Sequence, residues 1–154
     1  MKTSNRLARL MLLLGLAAAA TAHGFTLVSD EEFRQESAFA ATTRSYASKA
    51  IEPPGAPRIE VISPEVSGVV KPPVRIQVKF VAEQDSEINP ATFKVYYGMF
   101  RLDLTERILK QASVTKAGMQ LDNADVPAGN HRLFLQIKDG LQRQTEKEIR
   151  IKLE

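Results

Sequence analysis

The stretch that most narrows the choice of fold runs from Val126 to Glu154 and reads VPAGNHRLFLQIKDGLQRQTEKEIRIKLE. Pro127-Ala-Gly-Asn130 is turn chemistry, since proline presets one backbone angle and glycine accepts the angles other residues avoid. Leu133, Leu135 and Ile137 then alternate with Arg132, Phe134, Gln136 and Lys138, the period-two pattern of a strand with one buried face. Asp139-Gly140 is a hairpin signal, and beyond it Ile149, Ile151 and Leu153 alternate with Glu148, Arg150 and Lys152. A chain that ends this way closes on a β-hairpin.

The region before it repeats the pattern. Ile59, Val61 and Ile62 form a first short strand, ended by Ser63-Pro64. Val74, Ile76, Val78 and Phe80 alternate with Arg75, Gln77 and Lys79 in the clearest half-buried strand of the chain. A polar loop over Glu83 to Pro90 leads to a third strand, Phe93 to Tyr97, which stops at Gly98. In the segment from Met99 to Gln111, Phe100-Arg-Leu102 suits a short strand. Thr105 is placed to cap a helical turn through Glu106, Arg107, Ile108 and Leu109. Val114 and the Gly118 to Val126 stretch add two more short strands. About seven strands with turn signals every 8–12 residues suit an all-β, two-sheet antiparallel sandwich with a short helical insertion near 103–111.

The N-terminal part is different in texture. Lys2, Arg6 and Arg9 precede an apolar run from Leu10 to Ala20, and Ala20-Thr-Ala22 offers small residues to a signal peptidase. That run is about half the length needed to cross a bilayer. Residues 1–22 are therefore expected to be a signal peptide cleaved after Ala22, with a periplasmic or secreted product and no membrane span left. Residues 23–57 are expected to be a flexible segment containing a short helix. Ser29 caps its start, Asp30, Glu31 and Glu32 favour its positive end, and Phe33 and Phe39 are its docking anchors. The domain proper is expected over 58–154.

Charge and cysteine usage exclude several functions. The formal net charge of +3 is carried entirely by Lys2, Arg6 and Arg9. Without them the chain is neutral, so no whole-molecule attraction to nucleic acid is expected. Zero cysteines exclude disulfides, thiolate metal sites, a cysteine nucleophile and a lipid-modified cysteine. No Gly-x-Ser-x-Gly, His-Glu-x-x-His or Gly-rich phosphate loop is present, and Asp103 with Glu106 reads better as helix-start chemistry than as a catalytic pair. No enzyme and no cofactor is expected.

Three pieces in order resemble bacterial immunoglobulin-like domains, the modules also compared with fibronectin type III and cadherin repeats. They are Pro57-Arg-Ile-Glu-Val-Ile-Ser-Pro64, Ile88-Asn-Pro-Ala-Thr-Phe-Lys-Val95 and Pro127 to Gly140. The resemblance covers about 57–154 and implies that these pieces are strand A, the entry to strand C, and the E–F turn with strand F. It lacks the tryptophan and cysteines of antibody-type domains. In such a topology strands C and F share a sheet, which would bring the outward rings of Tyr96 and Phe134 together, rimmed by Arg132, Lys94 and Gln136. With Phe100 from the following segment, Tyr96, Phe134 and Arg132 form the candidate face for a protein partner in the cell envelope. The competing expectation is that the 99–111 segment or the N-terminal helix covers both rings.

A metal-binding carrier is the alternative. His23, if it becomes the N-terminus, offers an amine and an imidazole to copper, and His131 is the second imidazole, although its position at a strand start places it in solvent. Periplasmic copper carriers that combine an N-terminal histidine with such a sandwich make the idea concrete. Calcium would need Asp85, Glu87 and Asn89, or Asp122, Asn123 and Asp125, sets that serve equally well as turn formers.

Overall fold

The structure is a computed structural model that describes residues 25–42, 53–65, 68–83 and 85–154. The expected signal peptide, His23 and residues 43–52 lie outside the described residues.

Alternation along the strands builds two sheets packed face to face. In the first sheet β2 (Arg58–Ser63) pairs antiparallel with β4 (Val74–Val81), and β4 pairs antiparallel with β8 (Gly118–Asp125). The far edge of β8 is shared by β7 (Ser113–Thr115), which is antiparallel, and β1 (Phe25–Thr26), which is parallel. In the second sheet β5 (Ile88–Tyr97), β9 (Gly129–Asp139) and β10 (Gln144–Leu153) run antiparallel side by side. β6 (Leu102–Asp103) extends it beyond β5, and β3 (Val69–Val70) joins the outer edge of β10 in parallel. The described residues thus form an all-β sandwich of ten strands, of which β1 and β3 are two-residue pieces that no periodicity could reveal.

Period two also selects the core. Ile76 and Val78 of β4, Leu121 of β8, Val95 and Tyr97 of β5, Leu133, Leu135 and Ile137 of β9, and Ile149 of β10 are all nearly or fully buried between the sheets. Each such side chain contributes roughly 1.5–3 kcal/mol by leaving water. Strand β5 begins at Ile88, inside the stretch expected to be loop. Its register shifts between Asn89 and Lys94, and Pro90, which has no N–H to give, lies within that irregular part.

The closing hairpin has a longer loop than Asp139-Gly140 alone suggests. Lys138 pairs with Gln144, leaving Asp139 to Arg143 between them. Asp139 is buried and organises that loop. Its Oδ1 accepts from the backbone N–H of Leu141 and of Arg143, both at 2.9 Å, and its Oδ2 accepts from Arg143 Nε.

Residues 25–42 close one end of the sandwich. Leu27 and Val28 follow β1 straight into the core, with 1% and 2% of their surface exposed. Helix α1 (Asp30–Thr42) starts at a reciprocal cap: Ser29 Oγ accepts from Glu32 N at 3.2 Å, and Glu32 Oε2 accepts from Ser29 N at 2.8 Å. Phe33 lies over Gly129 and His131, its ring centroid 4.8 Å from the imidazole. One turn on, buried Glu36 accepts from Met99 N at 2.7 Å and lies against Gly98. A side chain at Gly98, whose φ is +69°, would collide with that carboxylate. Within the segment expected to be flexible, residues 25–42 are therefore a folded end-cap of the sandwich.

Helix α2 (Thr105–Leu109) is the expected insertion, but Thr105 is not its cap. The Thr105 hydroxyl is buried and accepts from Val95 N at 3.0 Å, fastening α2 to β5, while Asp103 Oδ1 accepts from Thr105 N at 2.8 Å. Arg107 then reaches α1: it donates to both oxygens of Glu32 at 2.9 and 2.8 Å and to the Leu27 carbonyl at 2.6 Å. These bonds, first of all those from Arg107, hold the Glu32 carboxyl down at about 2.

Candidate interaction face

The inward course of Val95, Tyr97, Leu133 and Leu135 forces Tyr96 and Phe134 onto the opposite, outer face of the second sheet. The register places them directly across from each other on β5 and β9. Both rings are only half-buried. Cross-strand aromatic pairs of this kind stabilise a sheet by a few tenths to about 1 kcal/mol.

What covers them is one side chain of the 99–111 segment. Arg101 sits in the turn between β5 and β6 with φ +61°, a conformation uncommon for a residue with a side chain. From there its guanidinium lies 4.8 Å from the Tyr96 ring centroid and 4.6 Å from that of Phe134. Arg101 also makes a two-pronged pair with Glu146 of β10, whose carboxylate accepts as well from Gln136. The bonds from Arg101, ahead of the one from Gln136, lower the Glu146 carboxyl below its usual range. With side-chain exposures of 38% and 18%, the Arg101–Glu146 pair is the most enclosed ion pair on the outer face of this sheet.

The other candidate residues border this centre. Arg132 precedes Phe134 on the same face of β9, donates to Met99 Sδ at 3.2 Å and lies 3.9 Å from Glu148. Phe100 meets Phe39 of α1 edge to face at 6.2 Å, and both rings are partly exposed. Lys94 pairs with Asp103 at 3.8 Å on the far rim, and Gln136 is bound to Glu146. Tyr96, Phe134, Arg132 and Gln136 therefore form one surface, while Phe100 stands at its end, beside the C-terminal half of α1.

The metal candidates are placed otherwise. His131 does not stand in solvent: it points inward, is 3% exposed, and uses both ring nitrogens. Its Nε2 is 2.8 Å from the Pro127 carbonyl, which can only accept, so Nε2 carries the proton and Nδ1 accepts from the Tyr97 hydroxyl at 3.0 Å. Burial lowers the His131 pKa, keeping the ring neutral, and raises that of the Tyr97 hydroxyl. Four of the six residues considered for calcium are already engaged. Asp85 accepts twice from Arg143, Glu87 pairs with Lys116, and Asn89 Oδ1 accepts from Ala91 N. Asp122 is held by Arg75 and Gln120. Among the described residues no group of three or more acidic or histidine side chains is arranged to hold a metal ion. Nor is any described helix long and apolar enough to cross a membrane.

Sequence reasoning missed Arg101 and Glu146, the two residues that organise the face. Glu146 was detectable as an outward position of β10. Arg101 had no local signal, because a left-handed arginine in a turn follows no sequence rule. Comparison of the chain with protein-family models, with curated proteins and with solved structures gives no significant match.

Proposed function

We propose that this chain is an exported, non-enzymatic module of immunoglobulin-like type that binds another protein of the cell envelope through the outer face of the β5–β9–β10 sheet. The type is supported by strand order: β2, β4, β8 and β7 follow one another in one sheet, and β5, β9 and β10 in the other. This matches the A-B-E-D and C-F-G arrangement of constant-type domains. Export is supported by the basic, apolar and small-residue succession over 1–22.

The observation that carries the binding role is the stack of Arg101 on Tyr96 and Phe134. A sheet face turned to solvent needs only polar residues. Tyrosine, phenylalanine, methionine and arginine are the types enriched where proteins bind one another, and pre-fixed side chains lose little entropy on contact. Glu146 fixes the guanidinium before any partner arrives. A copper role for His131 would require breaking one of its two hydrogen bonds and opening a site that is 3% exposed, which counts against this residue as a ligand.

The test is extraction of the tagged full chain from chemically crosslinked cells. A stoichiometric partner should come with the native chain and be absent with Tyr96→Ala/Phe134→Ala, whose circular dichroism should match the native spectrum. Equal recovery with a folded double variant would overturn the assignment of the face.

A further inference from the structure

Helix α1 buries a single side chain, and that side chain is a carboxylate. Of its 13 residues only Glu36 is buried, while Ser37 to Thr42 are all exposed. Its other holds on the sandwich are the half-buried ring of Phe33 and the Glu32–Arg107 pair. A surface helix is ordinarily kept in place by an apolar face, and α1 buries little of one. Glu36 itself is a poor choice for stability alone. Its Oε1 accepts from Met99 N at 2.7 Å, but Oε2, also shut off from water, has no hydrogen-bond partner among the described residues. A buried oxygen left in that condition costs stability.

What the carboxylate secures is a turn. It lies against Gly98, whose N–H donates to the Arg132 carbonyl at 3.0 Å and whose own carbonyl accepts from Arg101 N at 3.3 Å. Three residues along α1 from Glu36, Phe39 meets Phe100. The helix thus touches Gly98, Met99 and Phe100 in succession, and the next residue is Arg101, which lies on the Tyr96 and Phe134 rings. Arg101 is therefore held from two directions. Glu146 holds its guanidinium, and α1 holds the turn from which its side chain springs.

We propose that Glu36 is a positioning residue for the interaction face, and that docking of α1 and formation of the Arg101 stack favour each other. This inference rests on the reading of the face given above and supplies its regulation. The stack needs Arg101 at a φ of +61°, a conformation that residues with side chains keep when their surroundings fix it. With α1 docked, Glu36 fixes Met99 N and the turn is closed around Gly98. With α1 away, the turn relies on its own 3.3 Å bond and the short β6 pairing, and the guanidinium leaves the rings more often. A partner that binds the ordered stack therefore also tightens α1, because coupling between two equilibria acts equally in both directions. A helix that buries so little apolar surface belongs to the low-stability end of the molecule, where such a shift is felt.

The test uses the Arg101 guanidinium as reporter, in nuclear magnetic resonance of the isotope-labelled full chain. Its Nε–H resonance, assigned by its loss in Arg101→Lys, should be displaced by the two rings from the position of a free arginine. Glu36→Ala should return it towards that position while the circular dichroism of the sandwich is kept. Glu36→Gln, which retains an oxygen for Met99 N, should keep the displacement, and so should Ser37→Ala on the exposed side of the same helix. From the other end, Arg101→Ala should speed hydrogen exchange of the α1 amides about fivefold or more, as Arg75→Ala on the other sheet does not. A resonance unmoved in Glu36→Ala would overturn the proposal, as would one lost equally in Glu36→Gln or Ser37→Ala. Should Glu36→Ala not fold, the exchange result decides: α1 amides no faster in Arg101→Ala than in Arg75→Ala would overturn the coupling. Neither measurement needs a partner, so both stand apart from the Tyr96→Ala/Phe134→Ala extraction, which tests the face itself.

Discussion

The two outer faces of this sandwich obey the same alternation and end up chemically unlike. On the first sheet, Arg75 pairs with Asp122 across β4 and β8, and Lys79 with Glu60 across β4 and β2. All four side chains are more than 40% exposed, and no aromatic residue stands among them. On the second sheet, two aromatic rings are half-buried under Arg101, which is fixed by a carboxylate only 18% exposed. Folding requires the first pattern and is indifferent to the second. A face that exceeds what solubility demands, in a direction that favours contact, is where function is best sought.

The difference can be broken or sharpened by experiment. The largest effect is expected on binding. Losing the two rings in Tyr96→Ala/Phe134→Ala should weaken partner affinity by about 30-fold or more for each ring, whereas Gln77→Ala/Gln120→Ala on the other face should leave it unchanged. Surface plasmon resonance with the recovered partner would measure both.

A smaller contrast is expected in stability. Arg101→Ala removes a cation from two rings and leaves Glu146 without its main counter-charge, at a cost of about 1–2 kcal/mol. Arg75→Ala should cost less than about 0.5 kcal/mol, as for other exposed pairs. Urea unfolding midpoints would compare them.

Acid should sharpen the same contrast. The Glu146 carboxyl is lowered in the folded chain, chiefly by its bonds from Arg101. Its contribution is therefore present above the ordinary glutamate pKa of about 4.3 and lost as pH falls through the lowered value. The stability gap between native and Glu146→Gln chains should be full at pH 6 and shrink progressively below about pH 4.3. Asp122 is lowered by Gln120 and Arg75 but lies in open solvent, so Asp122→Asn should open little gap at any pH. Denaturant titrations at a series of pH values would decide.

The smallest effect concerns the turn. Arg101→Gly loses the same contacts as Arg101→Ala but relieves the φ of +61°, and should be the more stable of the two by about 0.5–1 kcal/mol.

How much of this was legible follows from the range of each interaction. The strands that carry alternation, such as Val74 to Phe80 and Arg132 to Lys138, were readable because period two is written locally. So was the opposition of Tyr96 and Phe134, which needs only inward neighbours and adjacent strands. The capping box at Ser29 and Glu32 is equally local, but the docking of α1 depends on Arg107 and on Gly98 and Gly129, more than 60 residues away. His131 was misplaced for the same reason: only the helix over it and the Tyr97 hydroxyl beneath make its burial tolerable. The register of the closing hairpin turns on loop length. A two-residue turn at Asp139-Gly140 would set Arg132 opposite Lys147, whereas the five-residue loop organised by Asp139 sets it opposite Arg150.

The most direct test of the central claim is site-specific photocrosslinking in intact cells from one residue on each face, Gln136 and Gln77. The account predicts a discrete adduct from position 136 and none from position 77. Adducts of equal yield from both positions, or an adduct from position 77 alone, would contradict it.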